Sequence, residues 1–319
     1  MFQALDHTDK LLLLGAIKAV AVCGNAASKA LDALSRENLR AIYQHLLEGK
    51  KELDMDFPLA SPQQIKQLLS GHKERDYLLS ILTVCPFIHG ILDLIKIDKV
   101  IEFANGLEVT APFLDELELV KKGKLKAALE DMTIQNYDSL FGGQPSYEEV
   151  RAFFMPYEHG KANAKLAKRY HDLVHYPPNS LGYAFWEQYA KNHYKFPGEE
   201  GALVEAFGVP HDSTHILSGY KTDARGEILV STFTAMMHKK LPLTGHVLPV
   251  LFTWHLGIDV NGIVRTNTNK LDISAFWLAW RRGEKMEVDI FSSTWDFLKH
   301  AERSVSSLQE EYNLHMDFT

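Results

Sequence analysis

Phe207–His238 reads FGVPHDSTHILSGYKTDARGEILVSTFTAMMH and holds the densest group of metal-ligating side chains in the chain. His211, Asp212 and His215 stand at i, i+1 and i+4. On a helix both imidazoles share one face, and the carboxylate lies about 100° round the axis, within reach of the same point. Glu227 follows with eleven residues between it and His215. The intervening Gly219-Tyr220-Lys221-Thr222-Asp223 reads as a reversal, with Asp223 placed to N-cap a second helix. A helix, a turn and a second helix therefore bring Glu227 back beside the histidines. Two imidazoles and two carboxylates form a borderline N/O set that suits Zn²⁺, with Mn²⁺ or Fe²⁺ as alternatives where water fills open positions. The spacing differs from the His-Glu-x-x-His helix of zincin proteases. Asp212 is one methylene shorter than that Glu, which favours a ligand or orienting role over that of a general base.

The same spacing occurs earlier. His171, Asp172 and His175 are followed, again after eleven residues, by Glu187. Pro177-Pro178 directly after His175 turns the chain sharply, and Glu187 falls within an amphipathic, aromatic-rich helix. This copy reads as a polar helix face, and the metal is assigned to His211, Asp212, His215 and Glu227.

The chain has 319 residues, 46% hydrophobic and 24% charged, enough for two domains with cores of their own. A net charge of -7, from 34 Lys and Arg against 41 Asp and Glu, argues against nucleic acid as a partner. Cys23 and Cys85 lie in apolar runs without CxxC spacing and read as buried free thiols of a reducing compartment. No signal peptide and no membrane span are evident, so the expected location is cytoplasmic, with attachment to a membrane surface left open. No phosphate-binding Gly-rich loop or GxSxG elbow is present.

Helical periodicity dominates. Leu11–Leu14 with Ile17, Ala21 and Val22 make one apolar stripe, and Leu39, Ile42, Tyr43, Leu46 and Leu47 another. Ser61-Pro62-Gln63-Gln64 is a helix start, with cap, Pro at the first helical position and Gln at the third. Helical segments follow over Tyr77–Cys85, Ile97–Ala104, Ala111–Val120 and Lys124–Asp131. Phe141-Gly142-Gly143-Gln144-Pro145 breaks the pattern and divides the chain into residues 1–140 and 141–319. Beyond it helices are expected over Lys161–His175 and, capped by Asn179 or Ser180, over Leu181–Asn192. Strand signals are confined to Ile258–Arg265, with Asn261-Gly262 as a hairpin turn, and to Glu287–Phe291. The expected fold is all-α, two helical domains with few or no short strands.

Two resemblances add to this reading. From Asp6 to Met132 the chain resembles the TerB-like helical domains named for tellurite resistance. The likeness rests on Asp9–Leu14 followed by Ala19-Val20-Ala21-Val22, and on Leu78 to His89-Gly90 leading into Ile97-Asp98-Lys99-Val100-Ile101. No metal site is assigned there. From Pro178 to Leu314 the chain resembles the family of the fourth Coq protein of ubiquinone biosynthesis. The matching segments are Pro177-Pro178-Asn179-Ser180-Leu181-Gly182, His211-Asp212-Ser213-Thr214-His215 with Gly226-Glu227, Ala279-Trp280-Arg281-Arg282-Gly283, and Trp295 to Leu314.

The second resemblance implies a helical protein with one zinc-type site, acting in coenzyme Q assembly at a membrane surface. It would either organise other quinone-biosynthesis proteins or catalyse oxidative decarboxylation of the quinone ring. The expected partner is a prenylated quinone precursor or another isoprenoid lipid, and a homo-oligomer is open. Gly245–Leu256 is apolar on most faces and Pro-interrupted. Beside a metal helix, Leu251 and Trp254 from it, with Ile228, Phe233 and Met236, are candidates for the wall of a prenyl groove. Two alternatives stand: a non-catalytic prenyl-lipid-binding scaffold, and a metal-dependent phosphohydrolase that would take further ligands from His238, His246 or His255.

Overall fold

A computed structural model describes residues 1–24, 30–158, 160–259 and 266–314. Among these residues the regular structure is helical, and the only strand-like pairings are isolated antiparallel bridges at Ser180–Ser304 and Leu256–Thr268. Helices start where the sequence supplies a cap. Asp6 accepts from the Asp9 amide at 2.9 Å to begin α1 (His7–Val22), and Asp32 does the same for α2 (Ala33–His45). Ser61 and Gln64 close a reciprocal capping box at the head of α3 (Pro62–Leu68). There follow α4 (His72–Val84), α5 (Leu94–Leu107), α6 (Pro112–Lys121) and α7 (Leu125–Phe141).

Helix α7 runs a further ten residues past the expected end at Asp131, as far as the break at Gly142, where φ is +75°. Then come α8 (Tyr147–Phe154), α9 (Ala164–His171) and α10 (Leu181–Asn192), the last capped by Ser180. The 161–175 helix is shorter than expected. Asn163 caps its start, and Asp172–His175 tightens into a 3₁₀ turn before the two prolines. The remaining helices are α11 (Glu205–Ser218), α12 (Ala224–His238), α13 (Leu248–Trp254), α14 (Ile273–Lys285), α15 (Phe297–His300) and α16 (Val305–Glu311). Of the two strand signals, Glu287–Phe291 is irregular chain, joined to Tyr312 by one backbone hydrogen bond. In the other, residues 260–265 lie outside the described residues.

One apolar core runs through both sides of the break. Helix α14 is its keel. Trp277 and Trp280 are fully buried, and each indole N–H finds an acceptor in the N-terminal half: Asn38 Oδ1 at 2.7 Å and Tyr77 Oη at 3.2 Å. On its other side α14 meets α12 so closely that a Cβ at Gly283 would lie 2.3 Å from the Phe233 carbonyl oxygen. Glycine is what permits that approach. No helix of the described residues is long and apolar enough to cross a membrane.

A buried acid locks α6 to α7. Glu116 has no exposed surface and accepts from Gln135 Nε2 at 2.9 Å, and the same nitrogen donates to Asp131 Oδ2 at 2.5 Å, which sets the two carboxyls side by side. Burial first, and the Asp131 carboxyl beside it second, push its pKa up to about 9. The folded protein thus keeps a proton that the unfolded chain releases above the ordinary glutamate value of 4.5. Stability from this group is therefore full below that value and declines as pH rises towards about 9. Glu116→Gln supplies the same donor and acceptor without the titration. Its melting temperature should match the wild type near pH 5 and exceed it by a few degrees near pH 8. Equal melting curves at both pH values would show that Glu116 is not held protonated.

Candidate metal centre

Helices α11 and α12 are antiparallel neighbours joined by a short reversal. Gly219 closes α11 in the left-handed conformation, and Asp223 accepts from the Gly226 amide at 2.8 Å to open α12. Gly226 is obligatory for a steric reason: a Cβ there would sit 1.6 Å from the Lys221 carbonyl oxygen. The chain can double back tightly only without that atom, and the tight reversal carries Glu227 to the histidines. From α14, the buried Arg282 donates to the Ser218 carbonyl at 3.0 Å and lies over the Tyr220 ring, holding the end of α11 in place.

Two imidazoles and one carboxylate converge. His211 Nε2 and His215 Nε2 are 3.3 Å apart, and each lies 3.4 Å from a Glu227 carboxylate oxygen. His215 Nδ1 is 3.1 Å from the Tyr220 carbonyl, which can only accept. Nδ1 therefore carries the proton, and the Nε2 lone pair is turned towards the other two donors. His211 is stacked on Phe207, with ring centroids 5.2 Å apart. A tetrahedral zinc site with bonds of about 2.0 to 2.1 Å has ligand-to-ligand edges of about 3.3 to 3.4 Å. The 3.3 Å between the two imidazole nitrogens matches one such edge, and the carboxylate faces both imidazoles, one oxygen towards each at 3.4 Å.

The electrostatics agree. Burial works against the charge on Glu227, yet the two imidazoles hold its carboxyl far below the usual carboxylate range. Burial likewise works against a charged His211, and Glu227 outweighs it, leaving that pKa raised. An ionised carboxylate between two imidazoles, removed from bulk water, is a ready-made seat for a small cation. Among the described residues, His211, His215 and Glu227 form the one group able to hold a metal.

No family model, no curated protein and no solved structure matches the chain. The centre therefore has to be judged on its own geometry.

The fourth expected ligand stands beside the group. Asp212 Oδ2 accepts from the Tyr189 hydroxyl at 2.5 Å; burial raises the Asp212 pKa, with the two histidines acting the other way. Tyr189, from α10, is a partner that spacing in the sequence does not show. The earlier look-alike motif is dispersed: His171 pairs with Glu199 at 2.9 Å, Asp172 with Lys168 and Glu187 with Lys191, while His175 is exposed. His238, His246 and His255 do not join the group either. His238 bonds Asp289 and the Ser139 carbonyl, His246 bonds Ser139 Oγ, and His255 bonds the Ile88 carbonyl and the Leu271 amide.

The centre opens on a cavity of about 660 Å³ that His211, Asp212 and Glu227 help to line. Of the five residues expected to form a prenyl wall, Trp254 lies on this cavity. Ile228, Phe233, Met236 and Leu251 do not; they are buried in the core. Helix register explains the correction. Glu227, Ser231 and Thr234 take the cavity face of α12, which turns Phe233 and Met236 to the opposite face against Gly283. The apolar wall comes instead from residues such as Met132, Phe154, Leu203, Phe207, Val250 and Phe291. Met132 belongs to α7, so the N-terminal half contributes to the site.

His215→Ala or Glu227→Ala should lower bound metal and the melting temperature together, by about 4 °C for a cation present at 100 times its dissociation constant. His175→Ala should change neither. Metal content by mass spectrometry and melting with and without chelator are the measurements; a His215→Ala protein that retains its metal contradicts the centre described.

Proposed function

We propose that this protein binds a divalent cation, zinc before manganese or iron, at His211, His215 and Glu227, and takes a prenylated quinone precursor into the adjoining cavity. The single observation that supports this most is the convergence of His211, His215 and Glu227, the two imidazole nitrogens 3.3 Å apart and each 3.4 Å from one of the two Glu227 oxygens, beside a cavity with many apolar lining residues. A cation bound there supplies a Lewis acid for the carboxylate of an aromatic ring and for the charge that develops as carbon dioxide leaves.

The chain's own residues do the rest. His215, fixed by Tyr220, and His211, stacked on Phe207, orient the metal side of the pocket. Asp212, held by Tyr189, adds a carboxylate at the same end. The walls formed by Met132, Phe154, Phe207, Val250, Trp254 and Phe291 exclude water and suit a prenyl chain. The volume lies within the range of about 300 to 1,000 Å³ typical of small-molecule sites. This reading assigns the protein to isoprenoid-quinone metabolism at a membrane surface, where such substrates reside, with oxidative decarboxylation as the reaction class: the ring loses carbon dioxide and gains a hydroxyl, and dioxygen from solution takes the two electrons and leaves as hydrogen peroxide. The resemblance to the fourth Coq protein's family supports the same assignment through His211, His215 and Gly226-Glu227. The phosphohydrolase reading gains nothing from His238, His246 and His255, which are engaged elsewhere.

The test supplies metal-loaded protein with a carboxyl-labelled, geranylated para-hydroxybenzoate in air. Binding on the order of micromolar and release of labelled carbon dioxide are expected, with release falling at least about 100-fold in Glu227→Ala. Binding without release would make the protein a carrier of intermediates. Absence of binding, or release of phosphate from a phosphoester instead, would overturn the proposal.

A further inference from the structure

His246 is set on the cavity wall by unusual backbone. It lies in the π-helical turn Pro242–Val247, entered through Leu241, a non-glycine residue at φ +42°. Both features are uncommon and costly, and both are found preferentially at functional sites. The turn is clamped on either side of the imidazole. Asn136 Nδ2 donates to the Gly245 carbonyl at 2.6 Å, and Ser231 Oγ donates to the His246 carbonyl at 3.0 Å. The residue is 4% exposed, and it lines the same cavity as the metal group.

The hydrogen bonds fix which nitrogen carries the proton. Ser139 Oγ lies 2.7 Å from the Asn136 carbonyl oxygen, and a carbonyl can only accept, so the single hydroxyl proton points there. Towards His246 Nε2, 3.1 Å away, Ser139 Oγ is then an acceptor. Nε2 must donate, and Nδ1 is left with a bare lone pair. No partner for Nδ1 occurs among the described residues, whereas in His255 both ring nitrogens are engaged. Burial, then the neighbouring charged His238, hold the His246 pKa down at about 3, so the ring stays neutral at physiological pH.

We propose that His246 is a specificity-determining residue of the cavity: its Nδ1 accepts a hydrogen bond from a hydroxyl of the bound molecule, which selects a phenol over its ether. This deepens the reading of the cavity as a site for a prenylated phenol and rests on it for the identity of the ligand. Ser139 is a positioning residue that fixes the tautomer, and it comes from α7, on the other side of the chain's midpoint break. A buried acceptor left without a donor is what gives such a site its discrimination.

The test has two arms. In the first, metal-loaded wild type and His246→Phe are titrated with a geranylated para-hydroxybenzoate and with its para-methyl ether. The wild type should prefer the phenol about tenfold or more, and the variant should bind the two alike. Equal binding by the wild type overturns this proposal and leaves the function proposed above intact. The second arm needs no variant: nitrogen NMR of ¹⁵N-histidine-labelled wild type reads the tautomer. His246 should remain Nε2-protonated from about pH 5 to about pH 8, and its Nδ1 resonance should move on addition of phenol itself but not of anisole. An Nδ1-protonated or charged ring, or an Nδ1 unmoved by phenol, overturns the proposal. If neither geranylated compound binds, the function proposed above fails and the NMR arm alone decides for or against His246.

Discussion

Two imidazole nitrogens and the two oxygens of one carboxylate, from two helices, meet at separations of 3.3 to 3.4 Å, and the middle of the structure is arranged to keep them there. Bringing an ionised carboxylate and two imidazoles together away from bulk water is unfavourable unless they compensate one another or share a cation. The compensation is visible in every neighbouring contact. The reversal between α11 and α12 is as tight as Gly226 allows, His215 is aimed by the Tyr220 carbonyl, and Tyr220 lies beneath the Arg282 guanidinium that secures the end of α11. Arg282 is positioned in turn by α14, whose tryptophans are embedded in the N-terminal helices. A chain of packing thus runs from Asn38 and Tyr77 to the metal group.

The cavity beside that group draws on both sides of the break at 142–146. Met132, Thr133 and Asn136 of α7 form part of its wall, while Ser139, one turn further on, holds His246 and accepts a hydrogen bond from His238 through its carbonyl. Its lining mixes the metal-binding carboxylate and imidazole with aromatic and aliphatic side chains such as Phe154, Phe207, Val250 and Phe291.

Much of this was legible from residue order alone, and the limits have physical causes. Caps at Ser61, Ser180 and Asp223 marked helix starts, because a cap is a local interaction between residues a few positions apart. The spacing of His211, His215 and Glu227 was readable for the same reason: one helix, one turn and one helix fix their geometry. Partners distant in sequence were not readable. Nothing in the spacing links Tyr189 to Asp212 or Ser139 to His246, since those contacts depend on how whole helices pack. The side of α12 that meets the cavity was not readable for a related reason. Periodicity shows that Ile228, Phe233 and Met236 are buried, but a helix with apolar side chains nearly all round does not declare which side meets the core and which a cavity. The length of α7 was understated because its second half, Met132–Phe141, mixes polar and apolar residues to face a cavity and solvent at once.

The most direct test of the account is to locate the metal in crystals of the purified protein by anomalous scattering at the absorption edge identified by elemental analysis. One peak per chain, enclosed by His211 Nε2, His215 Nε2 and the Glu227 carboxylate, is the expected result. A metal held instead by His171, Asp172 and His175, or well-ordered crystals of metal-supplemented protein with no peak at the triad, would contradict it.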